Sequence, residues 1–286
     1  MVISEPDAMR ERARGWLREG KTIGLVPTMG NLHEGHLSLM RRAAAENDVA
    51  VASIFVNPKQ FGPNEDFAAY PRTFEADLAG CRSAGVQAVF APTPDTMYPA
   101  GFCTRVEVDD LTTGLCGASR PGHFSGVTTV VGRLHCLILP TRAYYGEKDY
   151  QQLQVISRMT EDLGLGIEVI GMPIVREADG LAMSSRNQYL SAEERQAALC
   201  LSQALVAAQA VAALGPVSAQ AIEDVAADII AEEPLATLDY ASLVDPRSLV
   251  PMAWLDEPGR LCLAARVGPA RLIDNALILP GGGIGG

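Results

Sequence analysis

Two of the chain's four histidines fall in Pro27-Thr28-Met29-Gly30-Asn31-Leu32-His33-Glu34-Gly35-His36, directly after a short aliphatic run. Imidazoles three residues apart can face one anion as hydrogen-bond donors, and a helix starting near Gly35 would aim its unpaired N–H groups and dipole at the same place. The H-x-G-H spacing is not the i, i+4 pair of H-E-x-x-H, so on the motif alone a nucleotide site and a pair of surface or metal-binding imidazoles both stand. A second polar cluster is Gly146-Glu147-Lys148-Asp149-Tyr150-Gln151-Gln152. Gly146 permits close backbone approach, Lys148 offers a point charge for phosphate, and the Gln152 amide can donate and accept; the same residues also suit an ordinary polar turn. A third, Gly180-Leu181-Ala182-Met183-Ser184-Ser185-Arg186-Asn187, carries two hydroxyls and a guanidinium that could clamp a polyphosphate, or simply cap a loop. No G-x-x-x-x-G-K-[ST] stretch occurs, so a P-loop is not the phosphate-binding device.

The elements that would position these clusters follow from the apolar spacing. Residues 22–26, 48–56, 88–91 and 143–145 read as strands, with helical patterns between them at Leu37, Leu39, Met40 and Ala44 and over residues 74–84. This alternation predicts an α/β fold with a Rossmann-like parallel sheet, in which ligands bind beyond the carboxyl ends of the strands. Both the histidine cluster and the Gly146 cluster lie at such ends. Residues 127–139 are apolar enough for a helix or a strand. After Pro173 the texture changes: Ser191-Ala192-Glu193-Glu194 has the form of a capping box, opening an Ala-rich helix closed by Gly215-Pro216. The stretch 235–244 and strand-like segments at 261–267 and 272–279 complete a smaller α+β unit, giving expected domains 1–172 and 173–286. The Gly-rich stretch 281–286 matches G-x-G-x-x-G in letters only, without a following helix, and is expected to be a flexible end.

With 286 residues, 48% of them hydrophobic, the chain can bury cores in both units, which excludes disorder and small disulfide scaffolds. Lys and Arg number 23 against 34 Asp and Glu, a net charge of −11 that repels a nucleic-acid backbone. An anionic ligand must therefore be held by local donors. Six cysteines without a C-x-x-C pair read as reduced thiols of a cytoplasmic protein. The first residues lack the pattern of an export signal, and the most apolar stretch, 197–214, is interrupted by Ser202, Gln203 and Gln209, so no membrane span is expected.

Taken in order, the histidine cluster, Val56-Asn57-Pro58-Lys59-Gln60-Phe61-Gly62-Pro63, Tyr70-Pro71-Arg72-Thr73, Arg120-Pro121-Gly122-His123-Phe124, the Gly146 cluster and Met183-Ser184-Ser185-Arg186-Asn187 resemble the pantothenate synthetase family over residues 27–190. The H-x-G-H element alone would indicate only the wider nucleotidyltransferase superfamily. The resemblance implies ATP-driven condensation of pantoate with β-alanine through a pantoyl-adenylate, on a nucleotide- and pantoate-binding first domain with the second as a lid, in a homodimer. It places ATP on residues 29–36, on Gly146, Glu147, Lys148 and Asp149, on Val175, and on residues 183–186. His36 falls on the family's proton donor, and His33, Lys148, Ser184, Ser185 and Arg186 would act on the phosphates. Gln60 and Gln152 would grip pantoate, with Asn57, Arg120 and His123 near the amine or the phosphates, and Asp77 is the candidate ligand for the Mg²⁺ that ATP brings. Two departures stand out: His135-Cys136 replaces a common Phe-Asn, so His135 is given no catalytic part, and Glu75-Ala76-Asp77 has one acidic residue fewer than some relatives.

Two other functions compete. A nucleotidyltransferase of the same superfamily would leave the nucleotide on a phosphorylated acceptor, which calls for extra Arg or Lys where Gln60 and Gln152 stand. A non-catalytic nucleotide sensor would need neither Lys148 nor His36 as donors to a transition state.

Overall fold

Near-continuous apolar runs along parallel strands, with successive side chains pointing to opposite faces, produce a sheet covered on both faces. The computed structural model describes residues 1–63 and 65–281; the G-x-G-x-x-G match runs into residues 282–286, and the flexible end expected there lies outside the described residues. The elements in chain order are β1 (Val2–Ile3), α1 (Pro6–Arg18), β2 (Ile23–Thr28), α2 (Glu34–Glu46), β3 (Val49–Ile54), α3 (Phe74–Ser83), β4 (Ala88–Phe90), α4 (Pro94–Met97), α5 (Leu115–Ser119), α6 (His123–Ile138), β5 (Arg142–Gly146), α7 (Tyr150–Asp162) and β6 (Glu168–Met172). They continue with α8 (Ala192–Ala197), α9 (Cys200–Ala212), α10 (Ala219–Ala231), β7 (Ala236–Val244), β8 (Gly259–Val267) and β9 (Ala270–Ile278). Short 3₁₀ turns at Pro58–Gln60, Glu147–Asp149 and Ser185–Tyr189 carry several candidate site residues.

The chain divides into two compact units. The first comprises Met1–Thr112, Arg120–Glu147 and Gln152–Pro173, and the second Thr113–Ser119, Lys148–Gln151 and Ile174–Gly286. The expected cut at 172/173 thus omits two short segments, 113–119 and 148–151, that group with the C-terminal part, and one of them carries Lys148.

In the first unit six parallel strands lie in the order β1-β4-β3-β2-β5-β6. Ile23, Leu25, Val49, Val51, Ala143 and Tyr145 face a core built with Met9, Ala13 and Trp16 of α1 and with α6; Val26, Ala50, Ala52 and Tyr144 face the opposite core, formed with α2 and α3. Residues 127–139 resolve as most of α6. Thr128 and Thr129 are buried in it, and Leu139 ends it in a left-handed conformation at φ 49°. Of the sheet, β1 and β6 went unread in the sequence. β1 has two residues, and β6 sits at an edge with Gly171 within it, so neither carries a long apolar signal.

In the second unit β7, β8 and β9 form an antiparallel meander, with α9 and α10 packed on a core that includes Leu201, Leu205, Ile222, Ile230, Leu243, Leu263 and Ile278. The Ser191 capping box is present, with Ser191 N–H donating to Glu194 at 2.8 Å and Glu194 N–H to Ser191 at 3.1 Å. The Ala-rich helix is broken at 198–199 into α8 and α9.

Candidate active site

In the first unit β2 pairs with β3 on one side and with β5 on the other, so strand order reverses between β2 and β5. Such a switch point opens a crevice at the carboxyl ends of the strands. The histidine cluster leaves β2 there and Gly146 ends β5.

Gly30 at φ 85° and Asn31 at φ 50° turn the chain sharply after β2. His33 then stands at the N-cap of α2, its backbone N–H donating to Nδ1 of His36 at 3.4 Å. A neutral His36 that accepts at Nδ1 carries its proton on Nε2, the correct form for donation to a phosphate oxygen. The two rings lie 4.1 Å apart between centroids. Gly35 is required by this packing: a Cβ there would stand 2.9 Å from Cε1 of His33. The Glu34 carboxylate is exposed and pairs with Arg41, so what Glu34 can offer a nucleotide is its place in the first turn of the helix.

Asp77, the expected ligand for Mg²⁺, already uses its carboxylate within the protein. Its side chain is buried, Oδ2 accepting the Asn31 N–H at 3.0 Å and Oδ1 accepting the Leu32 N–H at 2.8 Å and the Thr73 hydroxyl at 3.2 Å. The carboxylate anchors the histidine loop. Among the described residues no group of three or more His, Cys, Asp or Glu could hold a metal ion.

Gln60 ends the turn after β3, its Nε2 at 3.2 Å from the Met29 sulfur. Asn57, expected at the substrate, is 1% exposed and fully engaged: it donates to Gln60 Oε1 and to the Gly126 carbonyl, both at 3.1 Å, and accepts from Tyr98 at 2.8 Å. Its bond to Gln60 Oε1 fixes the orientation of that amide. Arg120 and His123 are likewise committed within the protein. Arg120 grips Glu65 with both Nε at 2.7 Å and Nη2 at 2.6 Å, while its Nη1 donates to His123 Nε2 at 3.0 Å. A guanidinium only donates, so His123 accepts at Nε2 and donates from Nδ1 to the Gln60 carbonyl at 2.8 Å. Burial alone would raise the Glu65 pKa, but the Arg120 guanidinium holds it below the usual carboxylate range. These groups clamp the turn that carries Gln60.

One residue here escaped the sequence reading. A Cβ on Gly126 would sit 2.3 Å from the Lys59 oxygen and 2.7 Å from the Gln60 Cα, so α6 packs backbone to backbone against the turn. Its only signal was a small residue just before the apolar run at 127–139. Gln152, half-buried, belongs to α7, and a Cβ on Gly146 would meet nothing within 4 Å, leaving room for close approach.

The second unit holds the other expected phosphate ligands. Lys148 Nζ lies 4.0 Å from the carboxylate of the exposed Asp149. Val175 and Met183 close a hairpin, the Met183 N–H donating to the Val175 carbonyl at 3.0 Å. Ser184 caps the next turn by accepting the Arg186 N–H at 3.2 Å, and Asn187 ties it back to the Ala182 carbonyl at 3.1 Å. Ser185 is buried whereas Ser184 and Arg186 are partly exposed, so of the two hydroxyls Ser184 is the more accessible.

The family described as pantoate-beta-alanine ligase matches residues 1–277. The chain is 56% identical to the pantothenate synthetase of Heliobacterium modesticaldum over 277 residues, covering 97% of this chain and 99% of that protein, and 50% identical to that of Geobacter sulfurreducens, covering 97% and 98%. Among solved structures, the pantothenate synthetase of Thermus thermophilus superposes with a TM-score of 0.92 at 47% identity, covering 98% of this chain and 99% of that one. The Francisella tularensis pantoate-beta-alanine ligase, solved with beta-gamma ATP and beta-alanine, gives 0.82 at 33% identity, covering 97% of each. The chain belongs to the pantoate–β-alanine ligase family.

Proposed function

We propose that the chain condenses pantoate with β-alanine, converting ATP to AMP and pyrophosphate. The observation that carries this is the histidine loop at the β2/β5 switch point, fixed by Asp77 and presenting two imidazoles at the start of α2. Family membership supplies the substrates. A carboxylate and an amine at neutral pH form only a salt, so the acyl carbon needs a better leaving group before nitrogen can attack. In the first step a pantoate carboxylate oxygen attacks the α-phosphorus and the bond to pyrophosphate breaks. In the second the β-alanine nitrogen attacks the acyl carbon, loses a proton, and AMP departs.

In this reading His33, His36 and the first turn of α2 donate to phosphate oxygens, and Lys148, Ser184 and Arg186 neutralise charge that grows on pyrophosphate. Gln60 and Gln152 bind the hydroxyls and carboxylate of pantoate, a molecule too polar for an apolar pocket to select. Mg²⁺ arrives on the phosphates of ATP, and no step is assigned to a protein-held ion. Family membership is also the ground for reading the protein as a cytoplasmic homodimer, with the second unit serving as a lid; sedimentation velocity tests the dimer.

Labelled pyrophosphate should exchange into ATP when pantoate is present and amine is absent. No exchange, with ADP as product, would mean an acyl-phosphate route and defeat the proposal. Lys148→Ala should raise the barrier by roughly 3–4 kcal/mol, the size of a lost oxyanion donor. A variant within about threefold of the parent in kcat/KM removes Lys148 from that role.

A further inference from the structure

Lys148 and the hairpin leading to Arg186 come from separate stretches of chain, yet both are tied to two consecutive residues of β9. Asp274 and Asn275 are buried, at 3% and 4% exposure, in a strand whose other members include Leu272, Ile273, Leu277 and Ile278. Asp274 accepts from both terminal nitrogens of Arg176, at 2.7 and 2.9 Å. Arg176 donates also to the Gly180 carbonyl at 3.0 Å and bridges to Ala182, so this grip sets the hairpin that delivers residues 183–186. Asn275 donates from Nδ2 to the Lys148 carbonyl at 3.0 Å, while its Oδ1 accepts from Arg260 at 3.1 Å. A carbonyl only accepts and a guanidinium only donates, so the amide has one orientation. Asp274 Oδ1 accepts the Asn275 N–H at 2.8 Å and joins the two grips.

A buried carboxylate and amide are costly in a strand, and apolar residues of similar volume commonly serve stability as well or better. What the polar pair adds is geometry. We propose that Asp274 and Asn275 are positioning residues for adenylation, holding Lys148 and residues 183–186 at the spacing one triphosphate requires. The inference rests on the reading that these groups bind the phosphates.

Asn275→Asp is nearly isosteric: it turns a carboxylate oxygen toward the Lys148 carbonyl and keeps an acceptor for Arg260. Pyrophosphate exchange should fall by about 10- to 100-fold in kcat/KM for ATP, the effect of a misplaced group. Aminolysis of synthetic pantoyl-adenylate by β-alanine, which follows pyrophosphate departure, should stay within about twofold of the parent, and so should the KM for pantoate. In a Lys148→Ala background the same change should be nearly silent, because it acts through Lys148. Asp274→Asn, which weakens the hold on Arg176, should give the same split and serves as the second probe if Asn275→Asp does not fold. Equal loss in both half-reactions, or exchange within about threefold of the parent while Lys148→Ala is strongly impaired, overturns the positioning role. A Lys148→Ala enzyme that is itself unimpaired overturns the underlying reading instead.

Discussion

Gly126→Ala adds one methyl group where the backbone of α6 meets the turn carrying Gln60. The new carbon would stand 2.3 Å from the Lys59 oxygen, 2.5 Å from its carbonyl carbon and 2.7 Å from the Gln60 Cα. An ordinary carbon–oxygen contact is about 3.3 Å, so the turn must retreat by about 1 Å. None of the three atoms is the end of a flexible side chain that could swing aside. The retreat carries Gln60 from Met29, now 3.2 Å away, and strains the bonds from Asn57 to the Gly126 carbonyl and from His123 to the Gln60 carbonyl. Overpacking of this kind costs about 1–3 kcal/mol of stability. Displacing a binding group by about 1 Å costs roughly 100-fold in rate, or about 2.7 kcal/mol. The expected result is a folded enzyme with kcat/KM for pantoate lowered about 100-fold in the exchange assay and the KM for ATP little changed. Gly132→Ala on the same helix is the control: its Cβ would find nothing closer than 3.8 Å, and alanine should stabilise the helix by about 0.5–1 kcal/mol without touching either KM. If Gly126→Ala keeps kcat/KM for pantoate within about threefold of the parent, or raises both KM values equally, the turn does not position Gln60 for substrate.

Two more outcomes follow from buried groups in the first unit. Asp77→Asn replaces an acceptor of backbone N–H groups by an amide, and the KM for ATP should rise by the equivalent of about 1–3 kcal/mol while the Mg²⁺ concentration for half-maximal rate stays put; a shifted Mg²⁺ requirement would restore Asp77 as a metal ligand. His135 is 1% exposed, with Nε2 3.1 Å from the Tyr145 hydroxyl, and burial lowers its pKa from 6.5 to about 4. The unfolded chain therefore binds the proton first as pH falls, and stability is lost between pH 6.5 and about 4, by about 3 kcal/mol for this group. Urea titrations at about pH 7 and about pH 4.5 should show His135→Asn losing less stability than the parent between the two; an equal loss would show that His135 titrates normally.

The parts of this molecule that local chemistry dictates were legible in its residues. Strands β2 and β3 announce themselves by aliphatic runs and β4 and β5 by short apolar and aromatic ones, and the motif at residues 33–36 identifies its own turn. Gly35 is there because the His33 ring occupies the space a side chain would fill. The Asp77 role was hidden because it depends on a carboxylate 45 residues away in sequence from the Leu32 N–H it accepts. Asn57, Arg120 and His123 have residue types suited to polar ligands, and only tertiary geometry shows the bonds by which they also hold the turn at Gln60. Gly126 carried only the faint signal of its small size, since its function is to be absent beyond Cα.

A net charge of −11 sets the terms on which such a chain can hold a triphosphate. Several of its arginines are neutralised in place: Arg120 by Glu65, Arg176 by Asp274, Arg195 by Glu177 and Asp179. Pairs of this kind fix loops, and they leave the long-range field unfavourable to anions. Phosphate binding must then come from groups whose positive ends are fixed at short range, where a low local dielectric magnifies them and distant carboxylates are screened within about 8 Å. On the proposed reading, the start of α2 with its two imidazoles would supply that character in the first unit, and Lys148, held through its own backbone by Asn275, in the second. On this physics the arrangement of donors decides affinity more than their number, which is why residues that fix that arrangement, Asp77, Gly126, Asp274 and Asn275, carry the sharpest tests of the mechanism.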